Sequence, residues 1–398
     1  MKFTEFTISS LPQVYFGEGE IKQLPSITAE YGKQILLVCG KSSFAQTQHW
    51  QNLQQGLTEV GISHQVFNVS GEPSPGMVDD AVRAFRDKGI EVVVGIGGGS
   101  VLDAAKAIAG LLPAGGSVLD HLEDVGRGLP YEGPALPLIA VPTTAGTGSE
   151  ATKNAVLSEH GPQGYKKSFR HDSLVANVAL IDPALLEQCP RELIAAQGMD
   201  AFTQLLESYV SLRANPFTDA LAWSGLEAVA QGFFAAYDGG DDEAARQGRA
   251  AMAYGALLSG ITLAQVGLGS VHGLAQPLGS LFSVSHGIAC GTTLAVATEV
   301  NIKALREREP KSPALVKYAQ VGRLLLGDRR LYEQAACHAL VSQLQMWAER
   351  MAIPRLGELG ITEDDIPTIV ANARGNSMKS NPVRLTDDEI AKIISRRL

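Results

Sequence analysis

The chain has 398 residues, more than the roughly 250–300 residues at which one hydrophobic core stops growing, so we expect two domains. Hydrophobic residues make up 45% and charged residues 19% of the chain, which is typical of a globular protein and not of a disordered one. The formal net charge is −9 and the pI is near 5.5. This acidic balance argues against nucleic acid and against an anionic membrane surface as partners.

The pattern of cysteines indicates a reducing compartment, and we expect a soluble, cytoplasmic protein. The four cysteines show neither a CxxC motif nor the short spacing of a disulfide framework. The N-terminal segment has no long apolar stretch of the kind found in signal peptides. No run approaches the roughly 18 apolar residues of a membrane-spanning helix, so we expect no membrane partner.

Short apolar runs alternate with helical patterns through the first half of the chain. The five predicted strands are 34–40, 64–71, 91–96, 136–144 and 178–185. Helical patterns separate the first four of them. This alternation predicts βαβ units and a parallel, doubly wound sheet, which is an α/β fold.

The texture of the sequence changes after about residue 190. Long Ala- and Leu-rich stretches replace the valine runs and predict an all-helical second half. Pro183 and Pro190 punctuate the chain between the two halves. We therefore predict an α/β domain at residues 1–188 and an all-helical domain at residues 189–398.

A run of glycines stands directly between the third predicted strand and a predicted helix. Gly97, Gly98 and Gly99 would let the backbone approach a pyrophosphate closely, while the N-terminus of the helix supplies N–H donors. We predict that Ser100 caps this helix, with Asp103 at the spacing of a capping box. The loop could also be a tight turn without a ligand, but its position favours a bound nucleotide. The absence of a P-loop lysine disfavours an NTPase.

A second loop of similar character follows the fourth predicted strand. It carries Thr143, Thr144 and Thr147 beside two glycines. Small hydroxyl groups and a flexible backbone suit contacts to a diphosphate or a ribose. A plain polar loop is an equal alternative.

The end of the first predicted strand bears on the type of nucleotide. Dinucleotide sites that prefer NAD place an acid after a strand, where it binds the ribose 2′-hydroxyl. Here Gly40 leaves room and Lys41 brings a positive charge, so neither repels a 2′-phosphate. Glu72 is a rival acid but is followed directly by proline. These residues favour NADP(H) over NAD(H).

Two histidines, His272 and His286, lie 14 residues apart in an otherwise apolar stretch rich in glycine. They are either metal ligands or buried core histidines. Asp200 and Gln204 are four residues apart and share one face of a predicted helix, and Glu207 lies on that face too. One carboxylate, one amide oxygen and two imidazoles would suit Fe²⁺ or Zn²⁺. The alternative for Asp200 is a helix N-cap.

With these motifs the chain resembles the iron-containing (group III) alcohol dehydrogenases. The resemblance extends over nearly the whole chain and rests on the motifs VYFGEG, GGGSVLDAAKAIA, PTTAGTGSEAT, VALIDP, GMDAFTQLLESYVS, VHGLAQPLGSLFSVSHG and NPVRLTDDEI. It implies a nucleotide-binding α/β domain, a helical domain, and a cleft between them that holds the cofactor and a metal ion.

The resemblance also implies roles for individual residues. Asp200, His272 and His286 match three of the four metal ligands, and Gln204 stands where most members have a third histidine. Gln276 replaces a histidine of the proton relay near the nicotinamide, and an amide cannot take up a proton near neutral pH.

Further positions bear on the cofactor and on catalysis. Lys166 matches a lysine near the cofactor, and Gly40 stands where an aspartate favours NAD. His171 and Lys167 are candidates to replace the relay, although plain surface charge is the favoured interpretation. Cys290, four residues after His286, is a candidate substitute ligand, although a packed core thiol is favoured.

The resulting hypothesis is an NAD(P)-dependent alcohol dehydrogenase or aldehyde–ketone reductase. A divalent metal would polarise the carbonyl oxygen while hydride arrives from the nicotinamide, with His272, Gln276 and Lys166 as catalytic candidates. Residues 2–17 could lend an edge strand to a second copy, which suggests a homodimer. Phe169, Leu278 and Phe282 are pocket candidates, with core packing favoured.

Three alternatives remain open on the sequence alone. The first is a metal-independent reductase resembling the maleylacetate reductases. The second is a lyase resembling dehydroquinate synthase, which the absence of a basic cluster around the two histidines disfavours. The third is a nucleotide-binding relative without activity.

Overall fold

The protein is described here by a computed structural model, which covers residues 5–41, 44–159 and 164–398. It divides into two compact units. The sheet unit comprises Ile8–Cys189 and Gly240–Ala253. The helical unit comprises Pro190–Gly239, Tyr254–Leu398 and the described part of Met1–Thr7. Separate domains at residues 1–188 and 189–398 stay a prediction.

The sheet unit is built on a six-stranded parallel sheet with the order β1-β8-β5-β4-β2-β3, beside an antiparallel pair formed by β6 and β7. The strands are β1 (Gln13–Phe16), β2 (Gln34–Gly40), β3 (Ser63–Val69), β4 (Val92–Gly97), β5 (Leu138–Pro142), β6 (Asn154–Glu159), β7 (Tyr165–Arg170) and β8 (Val178–Ile181). Its helices are α1 (Leu24–Ala29), α2 (Gln48–Glu59), α3 (Pro75–Phe85) and α4 (Gly99–Ala114). The predicted α/β fold with a parallel, doubly wound sheet is confirmed.

Both faces of this sheet are buried, which explains the continuous apolar runs of its central strands. Side chains alternate between the faces along a strand. Leu36 and Val38 of β2 belong to one core cluster, while Leu37 belongs to the other. Val93 and Val94 of β4 divide between the two clusters in the same way. Strands covered on both faces are typical of parallel sheets.

Three central strands end at the same edge of the sheet. Cys39 of β2 pairs with Ile96 of β4, and Gly97 at the end of β4 pairs with Pro142 at the end of β5. The loops that follow these strands therefore begin side by side at the carboxyl edge. Ligands of open parallel sheets bind in the crevice outside this edge.

Three strands lie outside the five predicted for the sheet, and one of them, β1, falls in the stretch expected to lend an edge strand to a second copy. β1 pairs with β8 at one edge of the sheet, so part of the N-terminal stretch expected to pair with a second copy pairs within its own sheet. Residues 2–4 of that stretch lie outside the described residues. β6 and β7 are partly exposed and polar, so they lack the apolar runs from which the other strands were predicted.

The helical unit confirms the predicted all-helical half, since residues 190–398 are fully described and contain no strand. Its helices, of which α7 begins in the sheet unit, are α5 (Arg191–Val210), α6 (Pro216–Asp238), α7 (Glu243–Val266), α8 (Ser270–Phe282), α9 (His286–Arg308), α10 (Pro313–Leu326), α11 (Glu333–Arg350), α12 (Ile366–Asn372) and α13 (Asp387–Ser395). Among the described residues no single helix is long and apolar enough to cross a membrane, whereas α7 and α8, bent by 100°, meet that length and composition only as a pair.

A fully buried lysine ties α4 to the segment after β5. Lys106 Nζ donates to the hydroxyls of Ser149 and Thr152, each at 2.7 Å, and to the carbonyl of Asn154 at 2.9 Å. Glu150 is buried beside it, and burial raises the pKa of this carboxyl to about 7 although Lys106 acts to lower it. The ionised form of Glu150 is therefore costly in the folded chain.

This burial predicts a pH dependence of stability that a single substitution removes. Glu150 binds its proton more tightly in the folded than in the unfolded chain, so its contribution is fully present below pH 4.5 and is lost as the pH rises through about 7. Relative to Glu150→Gln, the wild type should lose roughly 2–4 kcal/mol of unfolding free energy across this window. Urea unfolding at a series of pH values measures the difference. Glu187→Gln, at an exposed position, should follow the wild type, and a Glu150→Gln curve parallel to the wild type would contradict the assignment.

Candidate active site

The two loops predicted to bind a nucleotide lie against each other in the sheet unit. A Cβ atom added at Gly98 would lie 3.2 Å from Thr144 Oγ1, and one added at Gly99 would lie 2.7 Å from Thr147 Oγ1. Glycine is therefore required for the close approach of the loops. Thr143 continues the contact, since its backbone N–H donates to the Gly97 carbonyl at 3.0 Å.

The start of α4 differs from the prediction in one respect. The N-cap is Gly98, which has no side chain, and Ser100 stands one residue inside the helix. The prediction that Ser100 caps the helix is therefore wrong. The reason is that Gly98 already adopts the extended N-cap conformation, so the first turn begins at Gly99 and no side chain covers its N–H groups.

Asp103 is engaged within the protein instead of in a capping box. Its carboxylate accepts hydrogen bonds from the Ser149 hydroxyl and, at 3.1 Å, from the backbone N–H of Val156. Lys106 Nζ lies 3.4 Å from the same carboxylate. Asp103 thus connects α4 to β6 and to the loop after β5, and its predicted contact with the cofactor stays a prediction.

The residues considered for the cofactor lie at the end of β2 and on or beside the β6–β7 pair. Gly40 ends β2 at the carboxyl edge, and Lys41 is exposed beside it. Lys166 on β7 forms an ion pair of 2.6 Å with Glu72, whose carboxylate also accepts a hydrogen bond from Ser158. Glu72, the rival acid for a ribose, is therefore partnered by two residues of the β6–β7 pair.

A buried cluster of potential metal ligands lies in the helical unit. It combines Asp200 of α5, His272 of α8, and His286 and Cys290 of α9, whose ligand atoms all lie within 4.8 Å of one another. Asp200 Oδ1 lies 3.3 Å from His272 Nε2 and 3.6 Å from His286 Nε2. Asp200 is fully buried in the middle of α5, which excludes the alternative of a helix cap.

Glu207 orients His272 from the side opposite to Asp200. Its Oε2 lies 2.7 Å from His272 Nδ1. A carboxylate only accepts hydrogen bonds, so Nδ1 carries the proton and Nε2 is the nitrogen left for a ligand role. The same carboxylate accepts the backbone N–H groups of Gly269 and Val271 at 2.9 and 2.7 Å, which holds the start of α8 in place.

Burial and neighbouring charges shift the pKa values of the residues in the cluster. Burial by itself raises the pKa of Asp200, but His286 and His272 outweigh it and the pKa lies below its ordinary value. Burial acts to lower the pKa of His272, but the neighbouring Cys290, Asp200 and Glu207 raise it well above the ordinary value. Burial raises the pKa of the Cys290 thiol to about 12. Without another cation, a second proton on His272, at Nε2, offsets the negative charge of the two carboxylates.

The two glutamines predicted to stand in place of family histidines lie on different helices of this unit, and that correspondence stays a prediction. Gln204 of α5 is buried, and its Oε1 accepts a hydrogen bond of 2.6 Å from the Ser259 hydroxyl on α7. Gln276 of α8 lies one turn after His272 and points towards Gly375, where a Cβ would be 2.9 Å from Gln276 Oε1.

The remaining candidates serve local structure in the described chain. His171 accepts from the backbone N–H of Ser173 at 3.1 Å, and Lys167 pairs with Asp124 at 3.0 Å. Phe169 and Leu278 are completely buried, as the favoured core-packing interpretation expected. Phe282 is partly exposed at the end of α8.

The contact between Glu207 and His272 generates a prediction. Glu207→Gln replaces one acceptor oxygen by an NH₂ group that faces backbone N–H donors. We expect a loss of about 1–3 kcal/mol of unfolding free energy and a roughly 10–100-fold weaker affinity for a divalent metal. Urea unfolding and metal titration of the full chain measure the two effects. The exposed Glu363→Gln serves as control, and equal metal affinities of the two variants would contradict the role assigned to Glu207.

Comparisons with known proteins agree with this architecture. Sequence models of the iron-containing alcohol dehydrogenases and of the C-terminal part of that family match residues 12–183 and 194–398. The chain is 33% identical over 387 residues to long-chain-alcohol dehydrogenase 1 of Geobacillus thermodenitrificans, covering 96% of this chain and 94% of that protein. It is 30% identical over 392 residues to the NAD-dependent methanol dehydrogenase of Bacillus methanolicus, covering 97% and 98%.

A solved structure shows the same fold over the whole chain. The 1,3-propanediol oxidoreductase structure matches with a TM-score of 0.87 and 29% identity, covering 99% of this chain and 100% of that one. The resemblance inferred from the sequence motifs is confirmed. The chain belongs to the iron-containing alcohol dehydrogenase family, which consists of oxidoreductases acting on CH–OH groups.

Proposed function

We propose that this chain is a metal-containing alcohol dehydrogenase that reduces aldehydes or ketones with NADP(H). The observation that carries the proposal is the buried cluster of Asp200, His272 and His286, which concentrates negative charge around two imidazoles in the helical unit. Family membership supports a nicotinamide cofactor and an alcohol or carbonyl substrate of low molecular weight.

The residues of the cluster fit a divalent ion. The side chain of Asp200 is completely shielded from solvent, and its Oδ2 has no hydrogen-bond partner among the described residues. A buried carboxylate oxygen without a partner is costly unless a cation balances it. Oxygen and imidazole donors suit Fe²⁺ and Zn²⁺ alike. An ion at this place would act as a Lewis acid on the carbonyl oxygen of the substrate.

The chain itself supplies orientation and proton control around this ion. Glu207 fixes the tautomer and the plane of His272, so that Nε2 of that ring faces the cluster. Gln204 holds its place through Ser259 and stays beside Asp200. Gln276 can donate or accept a hydrogen bond near the reacting groups but cannot carry the proton, which in this proposal reaches the product from water or from a ribose hydroxyl.

The cofactor is proposed to bind at the carboxyl edge of the sheet. The N–H groups at the start of α4, around Gly97, Gly98, Gly99 and Ser100, suit a pyrophosphate. The hydroxyls of Thr143, Thr144 and Thr147 suit the diphosphate or the ribose, and Asp103 keeps their loop in place through Ser149. Lys166 would contact the cofactor after leaving its ion pair with Glu72.

The proposal includes a homodimer and a reducing compartment. β1 is an edge strand whose Val14 and Phe16 are about two-fifths exposed, at 39% and 40%, and it would face a second copy in a homodimer. All four cysteines are free, which suits a reducing compartment.

The experiment that tests the function combines metal content with turnover. The full chain, purified without chelator, is assayed for Fe and Zn and for NADPH oxidation with a panel of small aldehydes and ketones, before and after EDTA and metal add-back. We expect close to one ion per chain and activity that chelation removes and metal restores. A metal-free chain with full turnover would favour the second candidate, a metal-independent reductase, for which the two glutamines at family histidine positions argue.

The cofactor preference yields a separate prediction. Gly40→Asp places a carboxylate where a 2′-phosphate is expected, and like charges repel. The ratio of kcat/KM for NADPH to that for NADH should fall at least about tenfold, which corresponds to about 1.4 kcal/mol. Gly76→Asp, at an open position on α3, is the matched control. An unchanged ratio would contradict the proposed position of the 2′-phosphate.

A further inference from the structure

The geometry points to Cys290 as a ligand of the divalent ion, which makes the site an Asp–His–His–Cys centre, an inference that rests on the proposed function. Cys290 lies one helical turn after His286 on α9, so the two side chains share a face of the helix. Cys290 Sγ lies 3.9 Å from His286 Nε2 and 3.8 Å from His272 Nε2. The thiol therefore faces both imidazoles at once.

Four of the six separations among the ligand atoms are close to the values expected for four ligands around one ion. With metal–nitrogen and metal–oxygen bonds near 2 Å and a metal–sulfur bond near 2.3 Å, neighbouring ligand atoms are separated by about 3.3–3.6 Å. The observed separations are 3.3 and 3.6 Å from Asp200 Oδ1 to the two imidazoles and 3.8 and 3.9 Å from those imidazoles to Cys290 Sγ. The two distances to Cys290 Sγ exceed the expected range by a few tenths of an ångström, and all four ligand atoms lie within 4.8 Å of one another.

Gln204 occupies the position of the missing family histidine, but its oxygen faces elsewhere. Oε1 accepts a hydrogen bond of 2.6 Å from the Ser259 hydroxyl on α7, which engages the oxygen that would otherwise serve as the ligand atom. A metal ligand must present a lone pair and not a donor. The thiol of Cys290 belongs to the cluster and can supply it as a thiolate.

Charge balance favours the same set of ligands. Asp200 and a thiolate at Cys290 together neutralise a divalent ion in a site where both side chains are completely buried. Binding breaks the S–H bond of Cys290, forms the sulfur–metal bond and releases the thiol proton to solvent, and the proton on His272 Nε2 is released as the ion takes that nitrogen, with no change of oxidation state. His286 is the exposed member of the cluster, with 32% of its side chain accessible, and marks the side open to solvent.

A thiolate ligand alters the preference of the site for metals. Thiolates are soft donors that select Zn²⁺ and related ions over Fe²⁺, whereas a site of one carboxylate and three imidazoles is harder. This chain is therefore expected to hold Zn²⁺ or Co²⁺ in preference to Fe²⁺, despite the name of its family.

The test uses Co²⁺ as a spectroscopic probe of the full chain after metal removal. Co²⁺ in the site produces visible d–d bands, and a cobalt–thiolate bond adds a charge-transfer band in the near ultraviolet. We expect the wild type to show both features with one equivalent of Co²⁺. Visible bands without the charge-transfer band would overturn the role of Cys290 while leaving the proposed metal site intact.

Three variants sharpen the result. Cys290→Ser should lose the charge-transfer band and bind Co²⁺ at least roughly tenfold more weakly. Gln204→Ala should keep the band. Cys337→Ser, which removes a buried thiol on α11 outside the cluster, should also keep it. Loss of the band in Gln204→Ala or in Cys337→Ser, with the band retained in Cys290→Ser, would contradict the assignment.

The wild-type spectrum decides the question even where Cys290→Ser fails to fold. No retained Co²⁺ and no cobalt bands at all would contradict the metal site itself, and with it the proposed metal-containing function. That failure differs from a bound ion without sulfur, so the two proposals are distinguishable in one titration.

Discussion

Two buried carboxylates, Asp200 and Glu207, face opposite nitrogens of His272, and the helical unit is organised around that contact. Burying one ionised carboxylate is costly, and burying two is tolerable only with compensating charge or hydrogen bonds. Glu207 obtains them from the backbone N–H groups at the start of α8, whereas one oxygen of Asp200 has no partner among the described residues. A divalent ion bound at Asp200 would compensate the negative charge of this unpartnered carboxylate oxygen.

In the proposed function, the sheet unit brings backbone N–H groups close to the phosphates of the cofactor. Glycines at 97, 98 and 99 remove side chains from the end of β4 and the start of α4, and the threonines of the neighbouring loop fill the space they leave. The charged residues beside these loops are paired with each other, as in the contact of Lys106 with Asp103. This arrangement leaves the dipole and N–H groups of α4 as the attraction for a phosphate.

Much of this could be predicted from the sequence because its signals are local. The strands with continuous apolar runs, such as β2 and β4, and the alternation of strand and helix follow from burial on both faces of a parallel sheet. β6 and β7 combine polar with apolar residues and were missed, whereas β1 was expected as an edge strand but with a second copy as its partner. Ser100 has the residue type of a cap, but the N-cap is Gly98 and the helix therefore begins two residues earlier than predicted.

The candidate metal site could likewise be predicted in part. The spacing of Asp200, His272 and His286 was visible in the sequence, and so was the four-residue step from His286 to Cys290. Which of Cys290 and Gln204 faces the imidazoles depends on how α5 packs against α8 and α9, from which α6 and α7 separate it in the sequence. A local pattern contains no information on that packing, and the complete burial of Cys290 agrees with the favoured interpretation as a packed thiol, while its role as a ligand is a proposal.

The central claim is that a divalent ion balances the buried carboxylates of the helical unit, and anomalous diffraction tests it most directly. Crystals of the full chain, grown with one equivalent of Zn²⁺, would be measured on both sides of the zinc absorption edge. The account predicts one anomalous peak within bonding distance of Asp200, His272 Nε2, His286 Nε2 and Cys290 Sγ. A map without a peak at this place, with His272 still bridging Asp200 and Glu207, would contradict it.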